Sequence, residues 1–435
     1  MLEIGFVVPT CGYYYQPFRN QPLVTLYLLT ILENKFGDRV KLSLIDLRSV
    51  DEASLLFHIP ENDVFLYSVG TQDIHETSAV VQGLRSIYPK AKHIAGGAHI
   101  TLFPEECSKV FDSIVLREGE ESIVKIIDDI LASDLKPIYR EDKPVDLDAY
   151  PYASRKYLPR KAVVDTGILS GKYLNLPGTA FIFSRGCPFD CYFCANKNLS
   201  LGPVRFRSPQ LVEEEIEYLK SEYQIEALAF KDDNAIPVNQ QVARAHLEAV
   251  GRTGIKWKGQ SRANGIQSDV VKLAWDAGCI EIALGIESVC QNVLEIVNKR
   301  IDINEAKKYI QLLRKTGIGV RLNLIIGLPG EPDDIVEQTL AFIDEAEPTS
   351  VLLSYLYPVP GSELFKNPAR FGININTFDW TRYTATAGRF SEDELPDIIF
   401  DYDKVTPWGK GVDKEIIYQN YVRLQSILRE RGLNF

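Results

Sequence analysis

Histidine is scarce in this 435-residue chain: five are present, at positions 58, 75, 93, 99 and 246, all far in sequence from the three cysteines clustered near position 190. Positive charge is also in deficit, with 48 Lys and Arg against 59 Asp and Glu and a formal net charge of -11. A phosphate backbone calls for a basic surface, so nucleic acid is not expected as a partner. No apolar run reaches the roughly eighteen residues of a membrane span, and Met1-Leu-Glu-Ile-Gly lacks the basic start of a signal peptide. The expectations are therefore no membrane association and a cytoplasmic location. Internal repeats and low-complexity tracts are lacking as well. Cysteine amounts to seven, an odd number with three on one loop, which fits a reducing compartment better than a disulfide framework.

What is present is ordinary globular chemistry, 45% hydrophobic and 25% charged, in a chain longer than one core usually supports. Short apolar runs alternate with amphipathic stretches from the start. Residues 3–9, 41–46, 64–69, 93–95 and 113–116 read as buried strands, and 22–32, 77–88 and 121–132 as helices. That alternation predicts a doubly wound, Rossmann-like parallel sheet over residues 1–133, with ligands at the carboxyl ends of its strands. Three loops fall there: Pro9-Thr10-Cys11-Gly12, Ser68-Val-Gly70-Thr71-Gln72 and Gly96-Gly97-Ala-His99-Ile-Thr101. Residues 134–175, with Pro137, Pro144, Pro151 and Pro159 and no sustained periodicity, read as a linker.

Strand and helix signals resume over 176–366. Six strands are expected, at 179–184, 227–231, 257–262, 281–285, 321–327 and 351–356, separated by five longer helices. This predicts a partial, six-unit (β/α)6 relative of the eight-unit barrel, with functional residues at strand carboxyl ends. Lys231-Asp-Asp-Asn234, Ser261-Arg262-Ala-Asn264, Gly285-Ile-Glu287-Ser288, Asn298-Lys299-Arg300, Asn323 with Gly327-Leu-Pro-Gly-Glu331, and Tyr357-Pro-Val-Pro-Gly-Ser362 all obey that placement. Each fragment alone is a plausible turn or cap. Residues 367–435 read as a small, mostly helical region with a helix around 414–431. The aromatics of 378–383 and the acidic, apolar stretch 392–400 there are either substrate cover or core.

The most informative stretch is Phe181-Ile-Phe-Ser-Arg-Gly-Cys187-Pro-Phe-Asp-Cys191-Tyr-Phe193-Cys194. Its C-x3-C-x2-C spacing lets three thiolates converge on three corners of an iron-sulfur cube, leaving one iron open. A zinc site would need a fourth ligand near by, and none is visible. Zinc and chance spacing are the alternatives to a cluster.

The loop resembles the signature of the radical S-adenosylmethionine (SAM) superfamily, and with the first-domain loops, Phe103-Pro-Glu-Glu106 and Arg117-Glu118-Gly119-Glu120, the whole chain resembles the cobalamin-dependent, class B-like C-methyltransferases. That resemblance implies a [4Fe-4S] cluster on Cys187, Cys191 and Cys194. It implies SAM held by Phe193, Arg262, Glu287, Ser288, Lys299, Asn323 and Ile325. Cobalamin would be held by Thr10, Cys11, Ser68, Gly70, Thr71, Gly96, Gly97, His99, Thr101, Glu118 and Gly119. His99 is equally well a satisfied structural residue, and the D-x-H-x-x-G loop whose histidine binds cobalt is absent. Tyr13-Tyr-Tyr15 would lie near the corrinoid or pack ordinarily. The implied reaction is hydrogen abstraction by a 5'-deoxyadenosyl radical, then methyl transfer from methylcobalamin to an unactivated sp3 carbon. Anaerobic conditions and a low-potential electron donor of flavodoxin or ferredoxin type go with it. A peptide or protein side chain is the substrate expectation. A non-methylating oxidation or rearrangement, and a non-catalytic corrinoid or cluster carrier, are the competing readings.

Overall fold

The computed structural model describes residues 1–14, 16–263, 267–383 and 397–434. Tyr15, Asn264 and residues 392–396, singled out above, lie outside the described residues. The chain divides into two compact units.

The first unit holds β1 (Leu2–Val8), α1 (Leu23–Phe36), β2 (Val40–Asp46), β3 (Val64–Ser68), α2 (Ile74–Ile87), β4 (Lys92–Gly96), α3 (Ala98–Leu102), β5 (Ser113–Leu116), α4 (Glu120–Leu131) and β6 (Ile138–Arg140). All six strands are parallel, in the order β2-β1-β3-β4-β5-β6. The central strands are apolar on both faces: Ile4, Val64, Phe65, Leu66, Ile94 and Ile114 are all at most 2% exposed. That is the signature of strands covered by helices on each side. β6 lies inside the stretch that reads as a linker. Three residues carry no periodicity, yet Tyr139 is buried between exposed Ile138 and Arg140 and donates to Asp129 on α4 at 2.6 Å, which fixes it as an edge strand.

The second unit holds β7 (Gly178–Phe181), α5 (Pro209–Tyr223), β8 (Ala227–Phe230), α6 (Gln240–Arg252), β9 (Lys256–Arg262), α7 (Ser268–Asp276), β10 (Cys279–Glu287), α8 (Ile303–Thr316), β11 (Gly319–Ile326), α9 (Ile335–Ala346), β12 (Ser350–Tyr355) and α10 (Lys414–Glu430). Its strands are again parallel but run in simple sequence order from β7 to β12. The helices start where their caps dictate. Asn239 accepts from the N–H of Gln241 and Val242, Asp302 from those of Asn304 and Glu305, and Pro209 opens α5. On β11 the burial alternates strictly: Val320, Leu322, Leu324 and Ile326 are buried, whereas Arg321, Asn323 and Ile325 are half-buried. The sheet thus has one apolar face and one polar, partly accessible face. Besides α10, the C-terminal stretch contributes two short antiparallel ladders, Ile373–Ile375 with Phe400–Tyr402 and Val405–Thr406 with Gly409–Lys410. Among the described residues no helix is long and apolar enough to cross a membrane.

Candidate active site and cofactor cavity

The cysteine loop leaves β7 through Phe183 and Ser184 and turns at Gly186, whose φ of 91° belongs to the region glycine tolerates. Asp232, just past β8, anchors that exit. One carboxylate oxygen accepts from the N–H of Phe183 (3.0 Å), the N–H of Ser184 (2.7 Å) and the Ser184 hydroxyl (2.6 Å). Burial pushes its carboxyl up to about 7 against those donors. Further along, Asp190 accepts from Asn298 Nδ2 (3.1 Å) and pairs with Arg300 (3.1 Å) and Lys197 (3.3 Å). Tyr192 donates its N–H to Val297 O (2.9 Å). The Asn298-Lys-Arg300 stretch therefore clasps the loop.

Each of the three loop sulfurs has an N–H donor among the described residues. Asn234 Nδ2 lies 3.5 Å from Cys187 Sγ, Arg262 Nη1 3.3 Å from Cys191 Sγ, and the backbone N of Asn196 3.4 Å from Cys194 Sγ. The donors come from the ends of β8 and β9 and from the loop itself. Cys194 is exposed by its surface yet enclosed on most sides, as a group at the bottom of a concavity is. Enclosure, then repulsion from Cys191, Asp233 and Cys187, pushes its thiol up to about 11.

Several expected SAM contacts are brought together at the same end of the sheet. Glu287 has a φ of 69° after a register shift in β10, so its side chain folds back over Gly285. A Cβ on Gly285 would sit 2.4 Å from Glu287 Oε1 and 3.0 Å from Lys299 Nζ, which is why glycine precedes the glutamate here. Lys299 donates to Glu287 at 2.8 Å, with both side chains nearly buried, and its ammonium lies 5.7 Å from the Phe193 ring centroid. Asn323 Oδ1 is buried and accepts no hydrogen bond. Ser288 Oγ accepts from the Cys290 N–H (3.3 Å), and Ile325 is half-buried on the polar face. Arg262 lies at this end of the sheet too. Its guanidinium stacks 3.6 Å from the Phe189 ring centroid and also reaches Arg300 O, so it serves the cysteine loop.

In the first unit the strand order reverses between β1 and β3, the switch point where doubly wound sheets open a crevice. A cavity of about 530 Å³ lies there, lined by Thr10, Gly12 and Tyr13 after β1 and by Gln72, His75 and Glu76 after β3, among others. Thr10 anchors the first loop by donating its N–H (2.8 Å) and its hydroxyl to the Glu76 carboxylate. Cys11 follows with a φ of 50°. Gly97 has a φ of 106°, and a Cβ there would meet Val69 N at 2.7 Å and Val69 O at 2.8 Å. Only glycine lets the β3 and β4 loops pass this close.

The remaining positions expected at a corrinoid have the following surroundings. Gly70 accommodates the Asp73 carboxylate, and Thr101 and Glu118 accept from the N–H of Arg117 and Val145. Gly119 precedes α4, Gly96 pairs with Ser68 across the sheet, and Ser68 lines a small cavity beneath the first loop. His99 is fully buried, 3.3 Å from Thr71 Oγ1, boxed by Phe103 and by Trp380. Burial lowers its pKa to about 4, so it is neutral. Residues 379–383 belong to this unit, with Gln72 donating to Tyr383 O (2.9 Å) and Trp380 to Glu106 (3.4 Å).

The family model of the radical SAM superfamily matches residues 181–343, which run from the end of β7 into α9. Residues 181–343 are a radical SAM domain. The chain is similar to an uncharacterized methyltransferase of Pyrococcus horikoshii, 25% identical over 83% of this chain and 81% of the relative. It is also similar to an anaerobic magnesium-protoporphyrin IX monomethyl ester cyclase of Rubrivivax gelatinosus, 27% identical over 72% of this chain and 59% of that longer protein. Among solved structures, the radical SAM methyltransferase TsrM of Kitasatospora setae, determined with cobalamin and a [4Fe-4S] cluster bound, superimposes with a TM-score of 0.72. That match covers all of this chain and 90% of TsrM at 15% identity.

A radical SAM domain implies a [4Fe-4S] cluster and SAM, and the donor set fits both. The three thiols lie on one loop, and burial raises the Cys194 thiol, a cost that a bound cationic metal centre would offset. An N–H on every sulfur is the pattern that stabilises cluster-bound thiolates. For SAM, a zwitterion with a ribose diol, the Lys299–Glu287 pair and the unsatisfied Asn323 Oδ1 offer charge of both signs and a free acceptor. Sequence reasoning missed the roles of Asp190, Asn196 and Asp232. The signal for all three was their place in or directly beside motifs already singled out, Asp190 and Asn196 in the cysteine stretch 181–196 and Asp232 in Lys231–Asn234.

Proposed function

We propose that this chain is a cobalamin-dependent radical SAM methyltransferase that methylates an unactivated sp3 carbon. The observation that carries the reading is the pairing of a radical SAM domain with a second parallel sheet whose switch point opens a cavity of about 530 Å³. The methyltransferase names of the P. horikoshii relative and of TsrM support it. We further propose a peptide or protein side chain as substrate, a flavodoxin- or ferredoxin-type electron donor, and a reducing, cytoplasmic setting.

When bound, the cluster and SAM would supply a 5'-deoxyadenosyl radical, and cobalamin a transferable methyl group. The protein does the rest. Cys187, Cys191 and Cys194 hold the cluster, while Asn234, Arg262 and the Asn196 N–H steady the sulfurs. Lys299 presents a cation to the SAM carboxylate. Glu287 and Asn323 present acceptors to its ribose hydroxyls, with Ser288 beside them, and Phe193 and Ile325 give adenine an apolar face. Thr10, Cys11, Ser68 and the glycines at 70, 96, 97 and 119 shape the corrinoid edge of the first sheet.

The test is an anaerobic absorbance spectrum with iron and corrinoid quantification after reconstitution with iron, sulfide and hydroxocobalamin. It is followed by incubation with reductant and SAM carrying a deuterated methyl group. Retained cluster and corrinoid, with both S-adenosylhomocysteine and 5'-deoxyadenosine formed, is the expected result. Cluster without corrinoid, or 5'-deoxyadenosine with no methylated corrinoid, would overturn methyl transfer and point to oxidation or cyclisation.

A further inference from the structure

The turn Trp380–Arg382 belongs to the first unit, although residues 203–378 before it belong to the second. In a 3₁₀ turn, side chains three residues apart eclipse one another. Trp380 and Tyr383 stand at that spacing, with the Tyr383 N–H donating to Trp380 O (3.2 Å), and both are buried, at 5% and 0% exposure. Their rings lie 5.1 Å apart, and the Trp380 ring packs 4.7 Å from Phe103 and 5.3 Å from His99. Burying two aromatics on one side of a short turn removes enough apolar area from water to hold the turn in place.

Thr381 follows Trp380 and is turned aside from that box. Asp379 Oδ1 accepts from its N–H (3.1 Å) and its hydroxyl (2.7 Å), which fixes its orientation, and it stays exposed. It lines the cavity of about 530 Å³ at the switch point, together with Thr10, Tyr13, Gln72, His75 and Glu76. The turn also orients its neighbours there. Gln72 Nε2 donates to Tyr383 O (2.9 Å), so its amide is set with Oε1 as the end that accepts from no described residue. His75 Nε2 lies 3.8 Å from Asp379 Oδ1. Lining residues from two distant parts of the chain are thus tied to one another.

We propose that the turn 379–383 completes the corrinoid site of the first unit, with Thr381 touching the bound cofactor and Trp380 and Tyr383 acting as positioning residues. This rests on the cobalamin reading above, which it deepens by adding a wall that residues 1–133 do not contain. The rim of a corrinoid carries primary amides, and the Thr381 hydroxyl oxygen and Gln72 Oε1 suit their N–H groups as acceptors.

The test is equilibrium dialysis of hydroxocobalamin against the full chain with its cluster reconstituted, read by corrinoid absorbance. Cluster iron and urea unfolding are measured in parallel. Wild type is expected to bind; if it holds iron but takes up no corrinoid, the cobalamin reading fails and this inference falls with it. Beside a wild type that binds, Thr381→Trp is expected to weaken binding roughly tenfold or more, since the fold accepts a larger side chain at an exposed position but the cavity is filled by it. Trp380→Ala is expected to weaken it comparably, and Trp380→Phe, which keeps a ring against His99 and Phe103, to restore most of that loss. Iron stays at the wild-type level in all three. A turn that only stabilises the unit predicts that Trp380→Ala lowers the urea midpoint while Thr381→Trp leaves corrinoid binding unchanged. That outcome would overturn the proposal.

Discussion

The two units are built from the same material, six parallel strands with helices between them, and differ in the order in which the strands are laid down. In the first, β1 sits between β2 and β3, so the chain grows outward in both directions and the sheet splits its loops at one crevice. Both faces are apolar, and chemistry is confined to the carboxyl edge. In the second, strands follow sequence order without reversal, and one face becomes a polar surface carrying Lys258, Glu281, Arg321 and Asn323. Both units thus keep their candidate sites at strand carboxyl ends, and strand order decides whether those ends part at one crevice or follow one another in sequence.

The comparison is broken most severely by Cys191→Ala. Cluster iron and SAM cleavage are expected to be lost while retained corrinoid is unchanged; iron at the wild-type level would separate the cluster from this loop. Next, Gly97→Ala forces a Cβ into the Val69 backbone at a φ only glycine favours. It is expected to cost about 2 kcal/mol or more in denaturant unfolding and to reduce corrinoid retention, with iron intact. If both cofactors declined together, the units would not be independent.

Lys299→Met is expected to weaken SAM binding roughly 10- to 100-fold by equilibrium dialysis, since it removes the cation and strands Glu287. The double variant with Glu287→Gln should lose less than the sum of the two single losses.

A subtler test is pH. Burial pushes the Glu331 carboxyl up from its ordinary 4.5 to about 8, against the N–H bond from Gly327. Between those values the folded chain keeps a proton that the unfolded chain has released, so this group costs stability as pH rises. Glu331→Gln should therefore gain on wild type from about pH 4.5 to about pH 8 and level off above. The slope would be at most about 1.4 kcal/mol per pH unit. A gain that is constant with pH would show that the carboxyl does not titrate there.

The smallest expected effect is that of Thr10→Val, about 1 kcal/mol in the stability of the first unit, because the hydroxyl's bonds to Glu76 and from the Gly12 N–H are lost while the backbone N–H bond to Glu76 stays, with cluster iron unchanged.

Much of this arrangement is legible in the sequence because it is local. Buried strands such as Phe65 to Tyr67 are continuous apolar runs, and the three cysteines announce their spacing within eight residues. What is illegible depends on partners far away in the chain. Ile138–Arg140 is too short to show a period, and only β5 makes it a strand. Trp380 reads equally as substrate cover or as core, and the choice falls to core because it packs on His99 and Phe103, over 270 residues earlier. Arg262 is recognisable as a functional cation, but its lean toward Cys191 follows from where Phe189 and Arg300 lie.

The three N–H groups that meet the cysteine sulfurs come from three places: the loop itself, the end of β8 and the end of β9. Hydrogen bonds to cluster sulfur make the reduced state easier to reach. The electron affinity of the centre is therefore a property of the assembled barrel, and the ligand loop alone does not set it. A chain caught with its middle strands out of register would lose the donors that β8 and β9 bring to Cys187 and Cys191, and with them the potential of a cluster on this loop. Correct folding would in this way also decide when the radical can be made.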